Sequence, residues 1–591
     1  MRREGMEYRI VLVVAAVLLQ LALSLVQMSP VAAQAPPRPP EGFPLGSPLP
    51  GIAPSPQPKV APGLPAPAPL PPLSSEAAGQ SFAIRSVAVE GVTAFPAAQV
   101  DAITAGLTGP AISAGQIETA RRALTDLYRS EGYDFTTVRG VIAGPALRFV
   151  VIEGYVAQVR LDHDIGPVGT QVLRFVGHLI GLKPLDAHSL ERWLLLASDI
   201  PGLAVRSHLD PSTDDPGALT LVVDATRKPV SGYLSADNRA PPFNGPGQGI
   251  AILSLDSFTE FGERTQFSFY GAPGPNVFGQ ASEEFFIGGS GLKFKLYAGA
   301  GPAYPSGQLH QENYNTFTKV FGGQFSYPVV RIREQTLNVR LGLDAIETAT
   351  YNNLGENGAN VRASYDSLRI VRLGADYALF DTWLGAEHGA TNRSFVVLSQ
   401  GLTALGSGRD GDTTTPPTRI GEKVDFTKVS GEISRTQALF RPFSDATVAL
   451  QLSLSWQATG DLLPPIEKYY LGGPHFNRGY YYGQVSGDQA LTTSTELQLN
   501  TPLPLPARVP FSLQSQFYAF YDWGQVWQND PQTEADVVLN SLGGGVRLFV
   551  GDATEVDFEG VYRGNLYPNG RGPGISALRT AAFYWQVSFR F

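Results

Sequence analysis

The sequence predicts an all-β transmembrane barrel of sixteen antiparallel strands, preceded by two small α+β domains. Three observations carry this expectation. From Lys228 onward helical periodicity disappears and apolar and polar residues alternate with a period of two. Connections in that region alternate between short (the GSG near 290, Asp552–Ala553) and long (roughly 301–314 and 404–424), as in barrels with turns on one side of the membrane and loops on the other. Finally, the last strand places Phe583, Trp585, Val587, Phe589 and Phe591 on one face, an aromatic band suited to a lipid interface.

Composition sets the outer limits. The 591 residues carry a net charge of −9 with 16% charged residues, so no basic surface exists for nucleic acid. There are no cysteines, which excludes a disulfide framework, Cys-ligated zinc and a thiol nucleophile. The first element, residues 1–33, reads as a secretory signal peptide: MRREGMEYR is basic, IVLVVAAVLLQLALSLV is apolar, and Val31 and Ala33 suit cleavage before Gln34. The alternative is a retained anchor, since 17 mostly apolar residues almost span a bilayer. Residues 34–80 follow as a linker; sixteen prolines between 36 and 72 favour extended polyproline and cannot build a core.

Residues 81–155 and 156–227 read as two modules of similar plan. In the first, FAIRSVAVEG is a strand ending on a glycine turn, and SAGQIETARRALTDLYRSEG is a helix. Ser113 and Gln116 form a capping box, Gly132 stands at the stop, and Ile117, Ala120, Leu124, Leu127 and Tyr128 share a face. DFTTVRGVIAG and ALRFVVIEG alternate as a hairpin. The second module repeats the order with VAQVRLD, helices near TQVLRFVGHLI and SLERWLLLASD, then AVRSHLD and ALTLVVDAT. The VAVEG strand, the LYRSEGYDF junction and the closing IEG resemble POTRA domains. The resemblance implies periplasmic modules that bind extended polypeptide, commonly by adding a strand to a free sheet edge within 81–227.

The region 228–591 holds sixteen strand-like segments. In TVALQLSLSWQ, Val448, Leu450, Leu452, Leu454 and Trp456 oppose Gln451, Ser453, Ser455 and Gln457; in LKFKL, Leu292, Phe294 and Leu296 oppose Lys293 and Lys295. A soluble sandwich alternates too. Charged polar faces suit a wet lumen instead, and the aromatic end resembles the C-terminal signal of outer-membrane barrels.

Between the eleventh and twelfth segments lies 471–488, LGGPHFNRGYYYGQVSGD. Its Asn477-Arg478-Gly479-Tyr480 resembles the loop-six motif of the Omp85 superfamily, usually Val-Arg-Gly-Tyr or Val-Arg-Gly-Phe, with Asn in place of Val. The LGGP before it and Gly487-Asp488 after it also fit. In that family the loop folds into the barrel and its Arg meets an acidic residue on strand thirteen, within a Phe/Gly-x-Asp-x-Gly motif. Here that motif is Phe520, Asp522 and Gly524. Alternation independently puts Leu513, Phe517, Tyr521 and Trp523 on the apolar face and Gln514, Gln516, Phe520, Asp522 and Gly524 toward the lumen. An Arg fork holds a carboxylate through two parallel bonds, the glycines allow close approach to the wall, and Tyr480, Tyr481 and Tyr482 are expected to pack on the wall with wet hydroxyls.

Two such modules ahead of sixteen strands resemble TpsB transporters, the ShlB/FhaC/HecB haemolysin-activator type of two-partner secretion. The resemblance implies a monomeric outer-membrane protein of a Gram-negative bacterium, whose partners are an unfolded secreted TpsA-type protein, outer-membrane lipid and the barrel assembly machinery. It implies no cofactor, no metal and no catalytic residue. Cargo would be captured in the periplasm and threaded through the pore without nucleotide; the sequence holds no P-loop. The proline content of 34–80 argues against an N-terminal plug helix. The seven histidines (163, 178, 188, 208, 310, 388, 475) show no metal-ligand spacing, and Glu283-Glu284 and Asp214-Asp215 read as solvated or lumen charges. Two alternatives are an Omp85-type assembly factor and a passive porin; the latter leaves the modules and the Arg478/Asp522 pair without a role.

Overall fold

The computed structural model describes residues 59–60, 80–240, 245, 247–304, 314–352, 361–408, 415–505, 512–530, 535–570 and 577–591. The expected signal peptide, and the linker apart from 59–60 and 80, lie outside these residues.

The first module runs β1 (Ser81–Ile84), β2 (Ser86–Glu90), α1 (Ala97–Thr104), β3 (Gly109–Ser113), α2 (Ala114–Ser130), β4 (Thr137–Ala143) and β5 (Ala146–Ile152). FAIRSVAVE, expected as one strand, is two. Arg85 donates its backbone N–H to Pro145 O at 2.7 Å and breaks the run. β1 then pairs with β3, a strand absent from the sequence reading, while β2 lies parallel to β5 in the sheet β2-β5-β4. On α2, Gln116 N donates to Ser113 Oγ at 3.2 Å and Ser113 N to Gln116 Oε1 at 2.9 Å, closing the capping box. Its buried face, Ile117, Ala120, Leu124 and Tyr128, packs on Leu147 and Phe149.

The second module runs β6 (Tyr155–Leu161), α3 (Gly169–Val176), α4 (Ala187–Ser198), β7 (Leu203–Pro211) and β8 (Ala218–Arg227), with sheet order β6-β8-β7. Phe135 of the first module packs against its core, and Phe286 of the barrel enters that core edge-on to Phe175, centroids 5.1 Å apart.

The barrel closes through sixteen antiparallel strands. They are β9 (Val230–Asp237), β10 (Gln248–Asp256), β11 (Arg264–Ala272), β12 (Asn276–Phe286), β13 (Lys293–Ala303), β14 (Asn315–Arg331), β15 (Gln335–Asn352), β16 (Val361–Asp381), β17 (Ala390–Gly401), β18 (Thr427–Phe443), β19 (Ala446–Thr459), β22 (Gln489–Pro502), β23 (Leu513–Trp527), β24 (Val537–Val550), β25 (Thr554–Arg563) and β26 (Ala581–Arg590). β20 (Tyr469–Leu471) and β21 (Val485–Gly487) form a separate hairpin. β26 pairs back onto β9. Closure leaves no barrel edge, which the membrane requires.

The second module sits at the end from which β9 departs. Asp199 accepts Nε and Nη2 of Arg331 at 2.6 and 2.9 Å, Gln171 Nε2 donates to Gly288 O at 2.9 Å, and Arg192 Nη2 donates to Pro328 O at 2.9 Å. Short connections 257–263, 287–292, 332–334, 444–445 and 551–553 lie at this end, and long ones 304–314, 402–426, 460–488 and 564–580 at the other. The asymmetry has exceptions: 273–275 is short on the long side and 503–512 is long on the short side. Phe269, Phe321, Leu341, Leu373, Ile433 and Phe583 stand exposed on the outer wall, as a lipid-facing band does. Among the described residues no helix is long and apolar enough to cross a membrane.

Candidate functional site: a hairpin held inside the barrel

The connection 460–488, between the eleventh and twelfth barrel strands, turns inward instead of outward. A 3-10 turn at Pro465–Glu467 leads into β20, which pairs with β21 from Tyr469↔Gly487 to Leu471↔Val485. The tip between them reaches inward-facing residues of β22 to β26. Glu467, buried in the 3-10 turn, holds the incoming limb: it accepts Arg372 Nη2 of β16 at 2.7 Å and pairs with Lys428 Nζ of β18 at 2.7 Å.

At the tip, Asn477 adopts φ +52°, a left-handed conformation open to Asn but strained for a β-branched residue. Its side chain is spoken for on both sides, Nδ2 donating to Leu539 O at 3.0 Å and Oδ1 accepting from Thr492 Oγ1 at 3.1 Å. This turn aims Arg478 at the wall. Its backbone N–H and Nε both donate to Asp522 Oδ2, at 2.8 and 3.0 Å, and Nη2 donates to Asp522 Oδ1 at 3.0 Å. Nη1 donates to Glu496, and the guanidinium lies over Phe520, 3.6 Å from the ring centroid. Both Arg478 and Asp522 are buried.

Two glycines permit this approach. A Cβ on Gly524 would stand 2.4 Å from Asn477 Oδ1, and one on Gly479 would stand 2.6 Å from Ser541 Cβ. Gly479 O accepts from Arg563 Nε and from Tyr584 OH. Tyr480 departs from the expectation of a wet hydroxyl. It is enclosed, and its OH sits among Asn540 O, Asn565 O and Asn565 N at 3.1, 3.1 and 2.9 Å. Burial is affordable because backbone partners replace water.

Phe520, Asp522 and Gly524 all face the lumen from β23, opposite Glu496, Ser494 and Thr492 of β22. Glu496 was not singled out in the sequence, although alternation on β22 places it inward. Arg239 was also missed, because it lies just beyond β9 where no pattern points. Its Nη1 donates to Arg478 O at 2.6 Å and its Nη2 to Glu559 Oε1 at 2.6 Å. Arg547 joins by bridging to Glu496 at 2.7 Å. Arg239, Arg478 and Arg547 each meet at least one carboxylate, the condition for tolerating charge away from bulk water, whereas buried Arg563 is held by Gly479 O, Arg579 O and Tyr584 OH. A cavity of about 300 Å³ remains beside the tip, lined among others by His475, Arg478, Glu496, Arg547, Glu559 and Tyr584. The geometry fixes a loop inside the barrel.

Elsewhere, β4 and β7 each pair on one side only among the described residues. Glu283 accepts Thr265 Oγ1 at 2.6 Å, Glu284 pairs with Lys293 at 3.5 Å, and Asp215 accepts Tyr155 OH at 2.6 Å. His178 stacks on Trp193. Asp162, His163 and Asp224 bring three metal-type donors within 4.8 Å on the second module's surface, as ordinary exposed ion-pair partners also do.

A closed lipid-facing barrel, an inward loop bound to its wall and an α+β arm docked at one mouth together define a class: pore proteins of the outer membrane with folded domains on their periplasmic side. Residues 297–548 match the family described as Haemolysin secretion/activation protein ShlB/FhaC/HecB, and residues 82–154 match the POTRA domain, ShlB-type. The chain belongs to this family, as an outer-membrane β-barrel following POTRA structure that is periplasmic in its homologues. Among solved structures, CdiB from Escherichia coli aligns over 88% of this chain and 93% of its own, with a TM-score of 0.66 at 17% identity. CdiB from Acinetobacter baumannii aligns over 87% and 90%, with a TM-score of 0.58 at 13% identity. At these identities the likeness is one of fold. No curated protein compared with the chain matches it significantly.

Proposed function

We propose that this protein secretes a partner polypeptide across the outer membrane. Residues 156–227 act as a second POTRA domain, and the two modules capture the unfolded partner by strand addition at edges such as β4 and β7. The partner then threads the lumen once the 460–488 hairpin yields. The observation that carries the reading is the Arg478–Asp522 lock: a buried, many-bonded hold on a loop inside a pore whose inner mouth bears the capture modules. A passive porin has no use for either part. Transport draws on no nucleotide; folding of the partner outside biases movement outward. The test is secretion from vesicles holding the purified protein with a candidate partner encoded beside it. Passage without added ATP, lost on deleting 81–227, is expected. An absolute ATP requirement, or membrane insertion of added barrel proteins instead of secretion, would overturn the reading.

A further inference from the structure

The inward hairpin is also held at its base, by a pair that belongs to a different external connection. Arg419, in 402–426, donates Nη1 and Nη2 to Oδ1 and Oδ2 of Asp488 at 2.6 and 3.0 Å. Asp488 separates β21 from β22 and is fully enclosed; Arg419 is 3% exposed. Arg419 Nη1 also donates to Leu463 O at 3.0 Å. Asp488 further accepts the backbone N–H of Leu463 at 2.9 Å and of Asn529 at 2.8 Å. One carboxylate therefore joins both limbs of the hairpin to the connections before and after it.

The described residues 415–426 of that connection are themselves folded onto the lumen. Val424 and Phe426 pack with Leu463 against Ile346, Leu368 and Ile370. Thr418 N donates to Asp366 Oδ1 at 2.8 Å, Gly401 N to Phe426 O at 2.8 Å, and Lys423 N to Leu462 O at 2.8 Å. The two holds differ in kind. Arg478 grips barrel strands, which are fixed by their ladders; Arg419 lies on a connection whose described residues belong to no ladder. A tip that has left Asp522 still cannot swing out while Arg419 pins the base.

We propose that Arg419 is a positioning residue for the pore: the 402–426 connection clamps the hairpin's base through Asp488, and opening requires this clamp and the Arg478 lock both to release. The inference rests on the reading of the hairpin as the element that closes the pore. It places the outward-facing control of opening on 402–426, at the side where the secreted partner emerges.

Single-channel recording of the full-length protein in planar bilayers tests this, with heat-modifiable migration confirming a folded barrel. Because the chain has no cysteine, Lys423→Cys with Leu462→Cys can tie the two connections covalently where their backbones already bond. Arg419→Ala should raise the fraction of time in the large-conductance state about tenfold or more, since removing one member of a buried pair strands the other. Oxidising the 423–462 cysteine pair in the Arg419→Ala background should return gating to that of the wild type, and reductant should undo it. Asp488→Asn, which keeps the side chain's shape, replaces Arg419→Ala if the latter fails to fold. If Arg478→Ala opens the pore while the Arg419 and Asp488 variants gate normally, the clamp is overturned and the closing role of the hairpin stands. If none of the three opens it, both fall. Opening by Arg419→Ala that oxidation does not reverse also overturns the loop-to-loop clamp.

Discussion

Arg478 is held by five hydrogen-bond contacts to Asp522, Glu496 and Ser494, and its removal leaves two carboxylates facing each other in a tight site. Breaking such a pair costs on the order of 3–5 kcal/mol, less where lumen water screens it. Arg478→Ala should therefore abolish most secretion while the barrel still assembles; the checks are partner in the medium and heat-modifiable migration. Arg478→Lys should rescue little, since a point charge cannot bond both carboxylates in the plane of a fork. Gly524→Ala is expected to displace the hairpin without touching any charge, because its Cβ would meet Asn477 Oδ1 at 2.4 Å. Protease accessibility of 472–484 should rise in that variant, and unchanged digestion would argue against close packing here. Arg478 and Asp522 were legible in the sequence because each sits in a short motif and alternation gives Asp522 its direction. Arg239 and Arg563 were not, since they reach the tip from strands and connections far along the chain.

At the scale of the element, the first module shows how one acid can organise a fold. Glu153, in the IEG that ends it, is buried and accepts from Thr93 N, Ala94 N, Thr93 Oγ1 and Tyr128 OH. Burial alone raises its pKa, but these hydrogen bonds outweigh burial and hold the carboxyl below its usual range. A folded-state pKa below the unfolded one means stability is fully present above the unfolded value, about 4.3, and is lost as pH falls through the folded value. Hydrogen exchange across 81–155 should thus accelerate as pH drops below about 4.3, after correction for intrinsic rates. Glu153→Gln should be less stable at pH 7 by about 1–3 kcal/mol, with a flatter acid dependence. Identical pH slopes in the two proteins would rule out this role. Barrel strands carry a different lesson. Alternation reads correctly at mid-membrane, yet at the outer end of β16 the inward residues are Leu368 and Ile370, because loops rather than water fill the lumen there.

Across the whole molecule, core packing joins the parts. Phe135 links the first module to the second, and Phe286 with the Asp199–Arg331 pair links the second to the barrel. The sheet edges β4 and β7 are thereby held at a set distance from the pore. Phe286→Ala should cost about 3–5 kcal/mol at that junction. Hydrogen exchange in α3 and α4 should rise while β22 to β26 keep their protection; uniform loss of protection would show instead that the barrel depends on the arm.

The local chemistry of the chain was sufficient for the barrel, its strand number, the capped helix and the Arg478/Asp522 pair, because each is written in spacing: a period of two, a capping box, a short motif. Tertiary structure alone decided the splitting of FAIRSVAVE, the enclosure of Tyr480, the apolar lumen face toward the outer end of β16 and the meeting of Arg419 with Asp488. Those outcomes depend on which distant segments share a space, and neighbour-to-neighbour spacing along the chain holds no record of that.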